Sequence, residues 1–241
     1  MLARSVALAC FCASAAAVEQ IATQPLSGRD VLQTSDASPD IGGYINPFQG
    51  KGSFIAYFPD TKPLGEPINI IISSDSSPGI LTNDGLERYF AKLNFSGECL
   101  GKHLGNDLIA DLGDGRGPRS QDGILRYNFG DPAFGTCQET VNGGNHLRWW
   151  NQTQPDGKPG AIYIAASVEE DLAHEHTISP NGYNLGRDYI VGNATKLHEG
   201  RHKTTARSLE GLLPIGKKEI NHDIAIDGKI ALLTVHRISS T

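Results

Sequence analysis

The residues best suited to chemistry in this chain are histidines set among acids. His198-Glu-Gly-Arg-His202 spells H-E-x-x-H. On a helix, that spacing puts two imidazoles one turn apart on one face, where both ligate zinc while the glutamate takes a proton from the metal-bound water. Read this way, His198 and His202 are metal ligands, Glu199 is the catalytic base, Glu219 or His222 is a third ligand, and the chain is a metal-dependent hydrolase. The local sequence argues against it. Gly200 inside such a helix costs about 1 kcal/mol relative to Ala, and Thr204-Thr205 follow. The downstream Gly and third His of the longer metzincin pattern are missing. The expectation is therefore no cofactor, with zinc as the alternative.

A second group of acids and histidines runs through Glu169-Glu-Asp-Leu-Ala-His174-Glu-His176. Two of Glu169, Glu170, Asp171 and Asp188 would form the carboxylate pair of a glycan-active enzyme if they faced each other about 5 to 10 Å apart across a cleft. Upstream, Asn142-Gly-Gly-Asn-His-Leu-Arg-Trp-Trp150 alternates in character. In an extended strand His146, Arg148 and Trp150 share one face, a stacking and hydrogen-bonding platform for a sugar or peptide, while Leu147 and Trp149 share the other. The plainer reading is that Trp149 anchors the core, because tryptophan is highly buried on average.

Other chemistries lack their motifs. There is no G-x-S-x-G elbow, no phosphate-binding glycine loop and no dinucleotide fingerprint. Asp111-Leu-Gly-Asp-Gly-Arg-Gly117 has the composition of a calcium loop without its alternating acids and closing Glu, and reads as a turn.

The elements that must position these residues are short. Strands are expected near residues 53–58 and 68–72, both bounded by Pro and Gly clusters, and near 124–129, 146–150, 161–168 and 188–191. One helix starts at Thr82 or Asn83, with Leu86, Tyr89, Phe90 and Leu93 on one face and Asp84 and Glu87 in its first turn. A second helical turn is expected around residues 107–112. Residues 224–235 read as a C-terminal hairpin closed by Asp227-Gly228, a pair suited to a type I′ turn. With no βαβ period and no repeat, the fold class is α+β or mainly β, a single domain over residues 41–241.

The N-terminus carries the marks of export. Arg4, the apolar run from Val6 to Ala13 and the small residues Ala15 to Ala17 read as a cleavable signal peptide over 1–17, too short an apolar run to span a membrane. Residues 18–40 are rich in Ser, Asp, Gln and Pro and read as a flexible leader. Cys10 and Cys12 leave with the signal, so Cys99 and Cys137 have only each other, and a disulfide is expected in an oxidising compartment. Asn94, Asn151 and Asn193 each open an N-x-S/T sequon. The whole chain has 21 basic and 27 acidic residues. Loss of Arg4 leaves 20 against 27, a net charge of minus seven, which speaks against a nucleic-acid partner.

The segments Gly143-Gly-Asn-His-Leu-Arg-Trp-Trp150, Glu169-Glu-Asp171, Pro180-Asn-Gly-Tyr-Asn-Leu-Gly-Arg-Asp188 and Val191-Gly-Asn-Ala-Thr195 resemble a group of secreted fungal proteins of unknown function. The likeness runs from about Pro67 to the final hairpin. It implies a fungal source, which strengthens the glycosylation reading, and it brings no activity or catalytic residue with it. The expected function is that of a secreted, disulfide-closed glycoprotein that binds an extracellular host molecule or cell-wall glycan, without a membrane or nucleic-acid partner. A metal-dependent hydrolase and a paired-carboxylate glycan enzyme are the alternatives.

Overall fold

The computed structural model describes residues 42–103, 105–197 and 202–238. All of them belong to one compact unit, Leu32–Thr241. Residues 1–17 and 18–40, expected as signal peptide and leader, lie outside the described residues, together with His198 and Glu199.

In chain order the elements are β1 (Ile55–Ala56), β2 (Glu66–Pro67), β3 (Ile70–Ile72), α1 (Asn83–Ala91), β4 (Phe95–Ser96), β5 (Ile109–Ala110), β6 (Arg119–Ser120) and β7 (Gly123–Tyr127). They continue with α2 (Gly135–Asn142), β8 (Gly144–Thr153), β9 (Pro159–Glu169), α3 (Gly182–Lys196), β10 (His202–Leu209) and β11 (Ile230–Arg237). Seven strands form one mixed sheet in the order β10-β11-β3-β9-β8-β7-β4. Within it β11 and β3 run parallel and the other neighbours antiparallel. The architecture is α+β and mainly β, as the sequence implies.

Both faces of the sheet are buried, and this is why β3 reads Ile-Ile-Ile instead of alternating. On one face Ile70, Ile72, Leu147, Trp149, Ile164 and Leu233 pack under Leu86, Tyr89 and Phe90 of α1 and Ile190, Val191 and Ala194 of α3. On the other, Ile71, Trp150, Tyr163 and Leu232 are covered by Phe54, Ala56, Leu108, Ala110 and Ile220 from short strands and loops. Helix α1 begins where expected, with the Thr82 hydroxyl accepting from the Gly85 N–H at 3.1 Å.

Four local expectations are corrected. Residues 188–191 are not a strand but lie within α3. Glycines lower helix propensity there, yet at Gly186 a Cβ would stand 2.6 Å from the Ser167 Cα, so close seating of α3 on β9 requires that glycine. Residues 107–112 hold β5 instead of a helical turn. Helix α2 forms where none is expected. Residues 224–226 do not pair with β11, because both edges of β11 are taken by β10 and β3. Ile226 instead exchanges backbone hydrogen bonds with Gly216, and Asp227 receives both terminal guanidinium nitrogens of Arg187 at 2.7 and 2.8 Å. The C-terminal antiparallel pair is β10 with β11.

Candidate functional site

The strand registers gather charge at one end of the sheet. Arg126 on β7 lies opposite His146 on β8, and His146 lies opposite Ser167 on β9, with Glu169 two residues further along the same face of β9. His146 bridges its neighbours: Nε2 is 3.5 Å from Ser167 Oγ and Nδ1 is 3.3 Å from Glu169 Oε1, the latter off the line of a hydrogen bond. Arg126 Nη1 donates to Glu169 Oε2 at 2.9 Å and to both oxygens of Glu139 at 3.1 and 3.2 Å, while its Nε reaches Glu98 Oε1 at 3.5 Å.

Those acids are delivered by local structure. Glu139 sits on α2, which ends at Gly143 with φ 74°, where a Cβ would lie 2.5 Å from the Glu169 carbonyl oxygen. Glycine thus lets the chain turn from α2 into β8 directly beneath Glu169. The Cys99–Cys137 disulfide is formed and ties the turn after Glu98 to α2, so Glu98 and Glu139 close on Arg126 together.

Further groups converge from outside the strands. Glu66 on β2 is fully buried and interacts electrostatically with Arg148 and Glu169. Backbone hydrogen bonds from Gly65 to Glu219 and from Asn221 to Gly65 hold the turn bearing His222 beside β2. His176 lies on the loop that folds back along the end of β9, its Nδ1 3.9 Å from Glu169 Oε2. Tyr183 reaches in from α3 toward Glu66 and Glu169. Arg148 donates to Asn106 O at 3.3 Å and to Gln121 Oε1 at 2.9 Å, with its guanidinium 5.4 Å from the Phe58 ring centre.

Five polar groups of this centre make no hydrogen bond among the described residues. Arg148 Nε, the Tyr183 hydroxyl, His146 Nδ1 and His176 Nδ1 are buried without a hydrogen bond, and the side chain of Glu66, 4% exposed, joins none either. Buried polar groups are satisfied in the great majority of cases, and ordered water or a bound polar group meets donors and acceptors of this kind. No family model, curated protein or solved structure matches this chain. The reading of the centre therefore rests on its own geometry.

Electrostatics divides the two carboxyls. Burial pushes Glu66 up to about 6, Glu169 raising it further and Arg148 partly opposing. Burial also raises Glu169, but the positive charge beside it, that of Arg126 above all, outweighs burial and holds the group below its ordinary value. Burial drives His146 down to about 3 against the pull of Glu169, so its imidazole is neutral and Arg126 is the cation that keeps Glu169 charged. Burial lifts Glu139 to about 7, and burial with the two nearby carboxylates keeps the Tyr183 phenol protonated, a donor.

The sequence-derived site residues are distributed unevenly. His146 and Arg148 belong to the centre. Trp150 shares their face, as the alternation implies, but all three are buried and Trp150 lies in the apolar core, so no open stacking platform exists. Trp149 anchors the opposite face of the sheet. Of the four carboxylates, only Glu169 is central. Asp171 pairs with His174 at 2.7 Å on the surface, Asp188 accepts from Arg187 Nε at 2.9 Å on α3, and Glu170 continues into the loop beyond β9. His202 opens β10, with its Nδ1 2.9 Å from Lys92 Nζ; His198 and Glu199 lie outside the described residues. Among the described residues no group of three or more His, Cys, Asp or Glu is placed to hold a metal, and no helix is long and apolar enough to cross a membrane.

Glu66, Arg126, Glu139, Ser167 and Tyr183 are the members that sequence reasoning missed. Arg126 and Ser167 follow from strand register once β7, β8 and β9 are paired. Glu66 carries no such signal, since it sits in a two-residue strand ahead of Pro67.

Proposed function

We propose that this chain is a secreted fungal glycoprotein that binds a small polyhydroxylated ligand, such as the terminal sugar of a cell-wall or host glycan, at the centre between Glu66 and Glu169. The observation that carries this reading is the open set of Arg148 Nε, Tyr183 OH and the Glu66 carboxylate. A sugar hydroxyl donates and accepts at once, so neighbouring hydroxyls satisfy a carboxylate and two donors together, and hydrogen bonds to charged groups contribute about 1.5 to 3 kcal/mol each. The signal-like N-terminus and the disulfide support an extracellular setting. Binding is tested by calorimetric titration with short neutral oligosaccharides of glucose, mannose and N-acetylglucosamine.

A second reading is hydrolysis of the bound sugar, favoured by the opposed states of the two carboxyls: Glu66 keeps its proton toward pH 6 while Glu169 is ionised. Environments that push a pair apart in this way assign an acid and a base. Product detection by mass spectrometry over the same panel separates the two. Turnover that falls above pH 6 and is lost in Glu66→Gln supports the enzyme, and binding without turnover supports the lectin-like role.

A further inference from the structure

We propose that Asn94 is the glycan-bearing residue of this chain and that Asn151 and Asn193 stay unmodified, an inference that rests on the reading of the protein as a secreted glycoprotein. The three sequons look alike in sequence, but the fold treats their side chains differently. Asn94 follows α1 in a left-handed turn, φ 63°, a conformation asparagine adopts readily. Its residue is exposed, and its amide joins no hydrogen bond among the described residues. Next along the chain, Phe95 is buried in the core and fixes the turn, the Ser96 hydroxyl of the sequon is itself buried, and a Cβ at Gly97 would meet nothing within 4 Å, so the chain is open beyond the sequon.

The other two amides are already engaged. Asn151 Nδ2, the atom that would carry the sugar, donates to Asn83 Oδ1 at 2.7 Å and to Asp122 Oδ2 at 3.2 Å. Asn83 Oδ1 also accepts from Trp149 Nε1 at 3.1 Å, so this knot fastens the first residue of α1 to β8. A sugar replaces one of the two hydrogens on Nδ2 and must break the knot. Asn193 lies inside α3, half-buried, and its side chain hydrogen-bonds Tyr189, whose ring packs against Phe95 and Tyr127. The hydroxyl of its sequon, Thr195, donates back to Val191 O at 2.8 Å.

A glycan at Asn94 would also cover a vulnerable edge. Asn94 precedes β4, the last strand of the sheet, and its carbonyl accepts from Asn128 N at 2.8 Å, which places it beside Phe129, 44% exposed. Unpaired sheet edges and exposed apolar groups invite association, and a bulky polar sugar blocks it.

The test is secretion of the full chain from a yeast, in one arm as it stands and in a second with the host's secretion signal ahead of residue 1. Failure in the first arm alone speaks against the native signal and leaves the glycan to be read in the second. Peptide mapping after enzymatic deglycosylation is expected to mark Asn94 alone. The Asn94→Gln variant should lose the gel shift that Asn151→Gln and Asn193→Gln keep. If Asn94→Gln is not secreted, Ser96→Ala removes the same sequon with the asparagine in place. An unmodified Asn94, or a glycan on Asn151 or Asn193 of the secreted protein, overturns the proposal.

Discussion

Arg126 and Glu169 meet through a single guanidinium nitrogen, Nη1 to Oε2 at 2.9 Å, and that nitrogen also serves Glu139. One cation therefore neutralises acids from β9 and α2 while its Nε reaches toward Glu98, and it sets the charge of the centre beneath Glu66. Arg126 and Glu169 are 15% and 11% exposed at their side chains, so water screens the cluster weakly.

Removing that cation should be costly. Breaking a buried pair strands the remaining charge, typically at about 3 to 5 kcal/mol. Arg126→Leu is expected to lose about 3 kcal/mol at pH 7 by urea denaturation, and less at pH 5, where the abandoned acids take up protons. A loss under about 1 kcal/mol at both pH values would show that the network is incidental.

Glu66 makes stability depend on pH in a set direction. Its folded carboxyl, at about 6 against an ordinary 4.5, holds its proton to higher pH than the unfolded one. Its contribution is thus complete below about pH 4.5 and is lost as pH rises through 6, a change of about 2 kcal/mol at 1.36 kcal/mol per pH unit. Glu66→Gln stays neutral throughout. Relative to the parent it should gain about that amount between pH 4.5 and pH 8, as read from denaturation at the two pH values. A difference that does not change with pH would mean that the carboxyl titrates normally.

The disulfide closes a loop with a sequence separation of 38 residues and should contribute about 3 to 4 kcal/mol in the chain-entropy picture. Replacing Cys99 and Cys137 together by Ala is expected to lower stability by that amount. Because the bridge also holds Glu98 and Glu139 on Arg126, the cost of Arg126→Leu should shrink in the disulfide-free background. Strict additivity of the two changes would show that the bridge does not position the cluster.

The legible parts of this chain were those with a period or a cap. The alternation of residues 146–150 places His146 and Arg148 on one face and Leu147 and Trp149 on the other, and Thr82 caps α1 where the sequence says. Helix α3 was illegible because Gly182 and Gly186 are there for contact: a Cβ at 182 would stand 2.6 Å from Val168 O, and propensity counts only their cost. The Asp227-Gly228 pair read as a hairpin because its turn chemistry is local, whereas the claim of Arg187 on Asp227 comes from 40 residues away. The site was half legible. Glu169, His146 and Arg148 stood out by type and spacing, but the platform failed because a sheet covered on both faces buries what alternation would expose. Glu66 and Tyr183 join the centre only through tertiary packing, with β2 and α3 laid against the ends of β8 and β9.

The most direct test of the ligand centre is a calorimetric comparison of the parent, Glu66→Gln and Tyr183→Phe against the panel of short glucose, mannose and N-acetylglucosamine oligosaccharides. Each variant removes one open polar group and leaves the apolar core intact. The expected result is a saturable isotherm for the parent with at least one sugar, weakened about tenfold or more in each variant, as loss of a hydrogen bond of about 1.4 kcal/mol requires. No binding to any sugar in the panel, or binding that both variants leave unchanged, would contradict the account.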